Sequence, residues 1–120
     1  MNKQENAKPF DLEDRTFLFA QRTREFIKRL NKTIANIEDM RQLVRSSGSV
    51  GANYIEANEA VSKKDFVLRI KCCRKEAKES RYWLQLLETD GESVFKERDL
   101  LAQEAQELTN IFGAIVRKSE

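Results

Sequence analysis

Histidine is absent from this chain of 120 residues, and its absence excludes several kinds of enzyme site. Without an imidazole there is no Ser–His or Cys–His nucleophile pair, no histidine-ligated zinc and no imidazole proton shuttle. Cysteine occurs only at the neighbouring positions Cys72 and Cys73. Two neighbouring cysteines cannot cross-link distant parts of a chain, and they are too few to close a structural zinc site. We therefore predict reduced thiols, no cofactor, no small-molecule substrate and no enzymatic activity.

Proline and glycine are also scarce, with one proline and four glycines in the whole chain. Charged residues make up 35% of the sequence, and the commonest residue types are good helix formers. This composition favours long helices over the short strands and frequent turns of β proteins. A chain of 120 residues has the usual size of one domain. The composition therefore predicts a single all-α domain.

The sequence also lacks long apolar runs. No stretch approaches the roughly 18 apolar residues that a membrane-spanning helix needs, and the first residues lack the apolar core of a secretory signal. We therefore expect a cytoplasmic protein with no membrane partner. The net charge is only +2, so any attraction to nucleic acid has to come from local clustering of basic residues.

Apolar residues recur at helical spacing in four segments, and we predict helices at about residues 12–32, 37–60, 63–88 and 93–118. Together the four helices form one domain over residues 12–118, which follows a flexible arm over residues 1–11. Helices of similar length that are joined by short loops pack as antiparallel neighbours. The sequence therefore predicts an antiparallel, up-down-up-down four-helix bundle.

The apolar spacing in the first, third and fourth helices predicts which of their residues face the core. In the first helix two apolar sets predict burial on more than one side: Phe17, Ala20, Ile27 and Ile34, and beside them Phe19, Phe26 and Leu30. The third helix starts with a capping-box pattern, Ser62 followed by Asp65. Its seam, the row of residues expected to face the core, has alternating spacings of four and three and comprises Phe66, Ile70, Cys73, Ala77, Ser80, Leu84 and Leu87. After a turn at Asp90-Gly91, the fourth helix has the seam Val94, Leu101, Ala105, Leu108, Phe112 and Ile115.

The centre of the second helix contains the unusual stretch SSGSVGAN. Each glycine inside a helix costs about 1 kcal/mol relative to alanine, so one interpretation is a loop between two short helices. The other is a continuous helix in which small side chains allow a neighbouring helix to approach closely, by analogy with small-residue packing in membranes. The small residues concerned are Ser47, Gly48, Gly51 and Ala52.

Basic residues concentrate in the third helix, where residues 63–81 hold eight bases and three acids, a local charge of +5. Lys71, Arg74, Lys78 and Arg81 share one broad arc away from the apolar seam, and Lys75 lies among them. Such an arc can follow a phosphate backbone. The alternative is an ordinary solvated helix face.

A second polar cluster lies on the second helix and comprises Arg45, Asn53, Glu56 and Asn58. These residues predict either hydrogen bonds and ion pairs between helices or a ligand pocket, and we favour the first interpretation. In particular, Arg45 or Arg41 could pair with Glu56 or Glu79. Glu56, Glu76 and Glu79 also suggest a di-metal carboxylate site. That site needs Glu-x-x-His motifs, which a chain without histidine cannot supply.

The segments RSSGSVGANYIEANEAVSKKDF and KEAKESRYWLQLL resemble a family of small bacterial four-helix-bundle proteins named after intervening sequences of 23S ribosomal RNA genes. The family pattern has a basic residue, small residues, an Ala-Asn pair and then an acid, which here fall on Arg45, Ser46, Ser47, Ser49, Val50, Gly51, Ala52, Asn53, Ile55 and Glu56. The resemblance implies a second helix that is continuous through the glycines. It also implies a ring-shaped homo-oligomer, typically a pentamer, and no enzymatic activity.

The resemblance extends to the accessory protein of diversity-generating retroelements, a basic pentamer that associates with a reverse transcriptase and nucleic acid. Our first hypothesis is therefore a homo-oligomeric module that binds RNA, DNA or a nucleic-acid-processing protein through Lys71, Arg74, Lys75, Lys78 and Arg81. The alternative is a protein scaffold that uses a second apolar stripe, Leu68, Cys72, Trp83 and Leu86. The residues expected in helix packing or subunit contacts are Ser47, Gly48, Gly51, Ala52, Asn53, Glu56, Cys72 and Trp83.

Overall fold

The computed structural model describes residues 11–120, so nearly all of the predicted arm over residues 1–11 lies outside the described part of the chain. The helices are α1 (Leu12–Ile27), α2 (Ile34–Asn58), α3 (Lys63–Leu86) and α4 (Glu92–Ser119). Each helix packs against the next one, and α1 also packs against α4. The predicted all-α four-helix bundle is confirmed.

Contacts between distant residues establish the antiparallel order. The start of α1 meets the middle of α4 through Arg15 and Glu104, whereas the segment after α1 meets the start of α4 through Arg29 and Ser93. The middle of α2 meets α3 where the Ser46 and Ser80 hydroxyls lie 2.8 Å apart. Each helix therefore packs against two others, and the four helices enclose one core.

The first helix ends five residues earlier than predicted, and the second begins three residues earlier. Backbone hydrogen bonds of a tight turn replace the helical pattern after Ile27, with the Arg29 amide donating to the Phe26 carbonyl. Thr33 then caps α2 by accepting a hydrogen bond from the backbone N–H of Asn36 at 3.1 Å. Ile34 was assigned to the first helix from its spacing, but it starts the second.

The side of α1 that faces the core differs from the first of the two predicted apolar sets. Phe19, Phe26 and Leu30 are buried, as the second set predicted, whereas Phe17 is 65% exposed. Two threonines complete the buried face, and the Thr23 hydroxyl donates to the Phe19 carbonyl at 2.8 Å. Because such a threonine meets its hydrogen-bonding need within its own helix, it packs in the core as a small side chain.

The seams of α3 and α4 form the other half of the core. All seven predicted seam residues of α3 are buried except Phe66, which is half-buried, and Ser62 caps the helix by accepting from the backbone N–H of Asp65. In α4 the central seam is buried from Leu101 to Phe112, and its two end residues, Val94 and Ile115, are partly buried. The heptad pattern thus identified the core of these two helices.

The α2 helix is continuous through both glycines, so the loop interpretation is wrong. A Cβ atom built on Gly51 would lie 3.0 Å from the Thr16 hydroxyl oxygen, and one on Gly48 would lie 3.2 Å from Nη2 of Arg24. Both contacts are with α1, but Gly48 faces the end of an exposed arginine, whereas Gly51 faces the buried Thr16. The missing side chain of Gly51 therefore allows α1 and α2 to approach more closely than alanine would.

A buried asparagine joins the two loops at one end of the bundle. The Asn36 side chain donates to the carbonyls of Asn31 and Glu88 and accepts from the Glu88 amide, all within 3.0 Å. The Asn36 side chain is fully buried, so its amide needs these hydrogen-bond partners. Asn36 therefore links the loop before α2 to the segment after α3.

None of the helices within residues 11–120 combines the length and the apolar character needed to cross a membrane.

Candidate functional site

The basic arc of α3 lies on the outside of the bundle, beside α4. Lys71, Lys75 and Lys78 are exposed, whereas Arg74 and Arg81 are half-buried. Lys71 pairs with the Glu120 carboxylate at 3.1 Å. Within residues 11–120, Arg74, Lys75, Lys78 and Arg81 form no ion pair. Their charges are therefore available to an anionic partner.

The opposite wall of this surface comes from α4, which the sequence analysis did not include in the site. A Cβ atom on Gly113 would lie 3.8 Å from Cδ of Arg74 and 3.4 Å from Nη1 of Arg117, so both arginines lie over the buried glycine. Because Asn110 and Gln106 precede Gly113 by three and seven residues, they share its face of α4. This wall thus carries two amides and one further base, Arg117.

We call this surface the basic groove, and it is formed by Arg74, Lys78, Arg81, Gln106, Asn110, Gly113 and Arg117. Arg81 is seven residues beyond Arg74, and Gln106 is seven residues before Gly113. Since α3 and α4 are antiparallel, these equal offsets place Arg81 level with Gln106. The groove therefore has basic residues on both walls and amides in place of acids on the α4 side.

The nearby acids on α3 are turned away from the basic groove. Glu76 and Glu79 both lie 3.4 Å from Nη2 of Arg45, on the side of α3 that faces α2. Glu76 is buried, and its Oε1 atom accepts no hydrogen bond from the residues described. The pairing of Arg45 with Glu79 confirms one of the predicted ion pairs. It also means that two of the three acids in the +5 segment do not neutralise the arc.

The acids in the middle of α4 are likewise directed away from the groove, toward α1. Arg15 donates to Glu104 at 2.7 and 2.9 Å and to Glu107 at 2.8 Å. The hydrogen bond to Glu104 raises the pKa of Arg15. The pKa of Glu107 is lowered, chiefly because the Gln103 amide donates to it, with a further contribution from Arg15. In the middle of α4, the acids Glu104 and Glu107 thus face α1, whereas the neutral amides Gln106 and Asn110 lie on the side of Gly113.

Near the start of α3 the basic surface continues into a second groove of about 720 Å³ between α3 and the end of α4. Its lining residues are Lys63, Lys64, Val67, Leu68, Lys71, Ser119 and Glu120. The basic surface therefore extends along most of α3 and is not confined to its centre.

Asn53 and Glu56, the polar residues expected in helix packing, lie in different environments. The Asn53 amide donates to the Ser49 carbonyl at 2.9 Å and accepts from Nη1 of Arg69 at 3.4 Å, so it connects α2 with α3. Glu56 is exposed, and the described residues do not place it in an ion pair. Asn53 is thus an interhelical residue, whereas the carboxylate of Glu56 points to solvent.

The small residues of α2 form the floor of a groove against α1. This groove has a volume of about 640 Å³, and the side chains of Phe17 and Ile55 border it. Gly48, Gly51 and Ala52 line it, while Ser47 is fully buried. The groove is apolar for most of its length, in contrast to the basic groove on the other side of the bundle.

The second apolar stripe of α3 is only partly accessible. Leu68 and Leu86 are exposed, whereas Cys72 and Trp83 are half-buried, and the indole N–H of Trp83 has no hydrogen-bond partner within residues 11–120. Cys73 lies in the core, and burial raises the pKa of its thiol to about 12. At neutral pH the Cys73 thiol is therefore protonated and unreactive.

Acidic and cysteine side chains do not converge elsewhere in the described part of the chain. Over residues 11–120 no three of them are grouped in a way that would hold a metal ion. Glu76 and Glu79 both lie next to Arg45. The positive guanidinium group competes with any metal ion for these two carboxylates.

Comparisons with known proteins agree with this architecture. One solved structure that matches is the crystal structure, at 1.70 Å resolution, of a protein of unknown function from the S23 ribosomal protein family of Bacteroides thetaiotaomicron VPI-5482. It is 29% identical, covers 88% of this chain and 97% of its own, and superimposes with a TM-score of 0.76. No curated protein matches significantly. The model of the family described as 23S rRNA-intervening sequence protein matches residues 10–114, and the chain therefore belongs to that family.

Proposed function

We propose that the protein is a non-enzymatic, homo-oligomeric module that binds RNA or DNA, alone or within a nucleoprotein complex, through the basic groove. The observation that carries this proposal is the segregation of charge on α3 and α4. The bases of the groove have no acidic partner within residues 11–120, although the chain as a whole has nearly as many acids as bases.

The geometry suits a phosphate backbone for two reasons. Arginines on both walls of the groove, Arg74 and Arg117, can approach a phosphate from two sides, and guanidinium groups bind phosphate through paired hydrogen bonds. The bases also recur along the axis of α3, at about 1.5 Å per residue, so Lys71 and Arg81 are about 15 Å apart along the helix. A surface of this length spans several phosphates.

Exposed apolar surface supports the homo-oligomeric part of the proposal. Phe17 is 65% and Ile55 is 49% exposed, and both border the apolar groove between α1 and α2. A second copy of the chain that covers this groove leaves the basic groove free on the other side of each bundle. A ring of such copies repeats the basic surface and increases the local positive potential, which raises both affinity and association rate.

Charge reversal tests the nucleic-acid part of the proposal. In fluorescence anisotropy with labelled structured RNA and duplex DNA at two salt concentrations, we expect affinity to fall as salt rises. Changing Arg74, Lys78 and Arg81 to glutamate should abolish binding and leave the helical circular dichroism unchanged. The matched control changes three bases elsewhere to glutamate and so alters the net charge equally: Lys28, Lys32 and Lys96. If both triple variants lose affinity to the same extent, the effect is one of net charge and the proposed surface is wrong.

The mass of the protein in solution tests the oligomeric part separately. Light scattering should give a multiple of the 14.0 kDa chain mass. Replacing Phe17 and Ile55 by serine should reduce that mass while the helical content is retained. A wild-type chain that stays monomeric at micromolar concentration would contradict homo-oligomerisation without affecting the basic groove.

The second candidate function, a protein scaffold, has its own supporting observation. Leu68 is 59% and Leu86 is 46% exposed on α3. Changing both residues to serine should abolish capture of a protein partner if this face is used. If Trp83→Ala and the double serine variant both leave oligomer mass and partner recovery unchanged, the scaffold function through this face is excluded.

A further inference from the structure

An exposed aromatic ring continues the line of bases on the outside of α3. Tyr82 lies four residues after Lys78 and seven after Lys75, which places the three side chains on one face of the helix. The tyrosine is 57% exposed. Its ring packs edge-on against Trp83, with centroids 5.1 Å apart and an angle of 71° between the planes. The ring of Tyr82 is thus supported on one side by the indole and open to solvent on the other.

The amides of the basic groove provide hydrogen-bonding groups that are not phosphate ligands. Nε2 of Gln106 donates to Oδ1 of Asn110 at 2.9 Å. The remaining Gln106 oxygen and Asn110 nitrogen make no hydrogen bond with residues 11–120, so one acceptor and one donor face outward from the α4 wall. An acceptor beside a donor is complementary to the edge of a nucleobase.

An exposed aromatic ring distinguishes single strands from duplexes. The base faces of a duplex are stacked on one another, so they cannot pack on Tyr82 and only the phosphates reach the bases of α3 and α4. The unstacked bases of a single strand can pack on the tyrosine ring while their phosphates contact the same basic residues.

We propose that the basic groove is a site for single-stranded nucleic acid, in which the backbone follows the basic residues of α3 and α4 and one base stacks on Tyr82. The combination of bases with an exposed aromatic ring is the arrangement by which proteins bind single strands without strict sequence preference. This inference depends on the proposed function, because it specifies which nucleic acid the same groove binds.

The test compares single-stranded and duplex probes on the full-length protein. The single strands are fluorescently labelled oligo-uridine RNA and oligo-thymidine DNA of roughly twelve nucleotides, a length within the usual range of single-strand sites. The duplex probes have the same length. We expect the single strands to bind more tightly, and Tyr82→Ala to weaken their binding by roughly 5- to 100-fold with little effect on the duplex. Tyr82→Phe retains the ring and should retain the affinity.

A charge variant separates stacking from electrostatics. Arg117→Gln should weaken the binding of single strands and reduce the dependence of their affinity on salt, because it removes one phosphate contact from the α4 wall. Lys96→Gln is the matched control, since it removes one charge from the same helix at a residue that already pairs with Glu92. The control should bind like the wild-type chain.

The outcomes are distinct. If duplex and single strand bind equally and Tyr82→Ala changes neither affinity, the single-strand inference is overturned and the proposed nucleic-acid function stands. If no probe binds even at low salt, both the inference and the nucleic-acid function fail. Preferential binding of single strands that depends on Tyr82 and Arg117 supports the inference.

Discussion

Replacing Gly51 by alanine tests whether the close approach of α1 and α2 depends on the missing side chain. Alanine improves the helix propensity of this position by about 1 kcal/mol. Its Cβ atom, however, would lie 3.0 Å from the Thr16 hydroxyl oxygen, 3.3 Å from the Thr16 Cβ atom and 3.7 Å from the Thr16 carbonyl carbon. The first two contacts are shorter than ordinary van der Waals distances. Either Thr16 or the whole of α1 has to move.

Thr16 cannot move easily. Its side chain is buried, and its hydroxyl donates to the Leu12 carbonyl at 2.7 Å. A β-branched side chain in a helix is also restricted in χ1. Overpacking of this kind costs about 1–3 kcal/mol, which matches or exceeds the gain of about 1 kcal/mol in helix propensity. We therefore expect Gly51→Ala to destabilise the protein or to leave its stability unchanged.

Gly48 provides the matched control on the same helix. A Cβ atom at this position would meet only the guanidinium end of Arg24, at 3.2 Å, and Arg24 is exposed and flexible. The arginine can move aside at little cost, so Gly48→Ala should stabilise the protein by up to about 1 kcal/mol. The two alanine variants should then differ by about 1–3 kcal/mol in their free energy of unfolding.

Urea unfolding followed by circular dichroism measures this difference, at one fixed protein concentration because assembly would shift the apparent stability. A Thr16→Ala background adds a second test. Removal of the hydroxyl and methyl groups should make Gly51→Ala less harmful, with a coupling energy that exceeds about 0.5 kcal/mol. If Gly51→Ala is as stabilising as Gly48→Ala, the argument from close helix approach is refuted.

Three further predictions follow from individual residues. Asn36→Ala should lower the free energy of unfolding by more than about 2 kcal/mol, because the backbone groups that Asn36 bonds lose their partner. Urea unfolding measures this loss, and a value below about 0.5 kcal/mol would contradict the role of Asn36. Iodoacetamide at mildly alkaline pH should label Cys72 in preference to Cys73, whose pKa of about 12 keeps the thiol protonated, and mass spectrometry of peptides distinguishes the two sites. Since the folded-state pKa of Glu107 lies below its ordinary value of 4.5, its contribution to stability is present above that pH and is lost as the pH falls further. Arg15→Gln should weaken this acid sensitivity in unfolding measured from pH 7 down to about pH 3, and an unchanged profile would exclude a contribution from the ion pair.

The number of helices and the cores of α3 and α4 were predictable because heptad spacing is a local property of the sequence. The seam from Ile70 to Leu87 is buried as predicted, and so is the central part of the α4 seam. The buried face of α1 was harder to predict, because both apolar sets have helical spacing. Thr16 and Thr23 decide it, and their burial depends on hydrogen bonds within the helix that apolar periodicity does not reveal.

Only the α3 half of the candidate site could be predicted from the sequence. The charge of α3 identifies Lys71, Arg74, Lys75, Lys78 and Arg81, since they are close together in the sequence. The α4 wall with Arg117 and Gly113 lies about forty residues further along the chain, and no local pattern links it to Arg74. Its only signal in the sequence is the row Gln106, Asn110, Gly113 and Arg117 at helical spacing, which becomes informative once the facing helix is known.

The sequence by itself determined the helical class, the antiparallel order and the local charge of α3, because composition, periodicity and short loops act over a few residues. Only the tertiary structure decided which charges remain unpaired. Arg45 of α2 pairs with Glu76 and Glu79 of α3. Arg15 of α1 pairs with Glu104 and Glu107 of α4. Ion pairing acts between residues that are distant in the sequence, so the electrostatic character of each face is a property of the packed bundle.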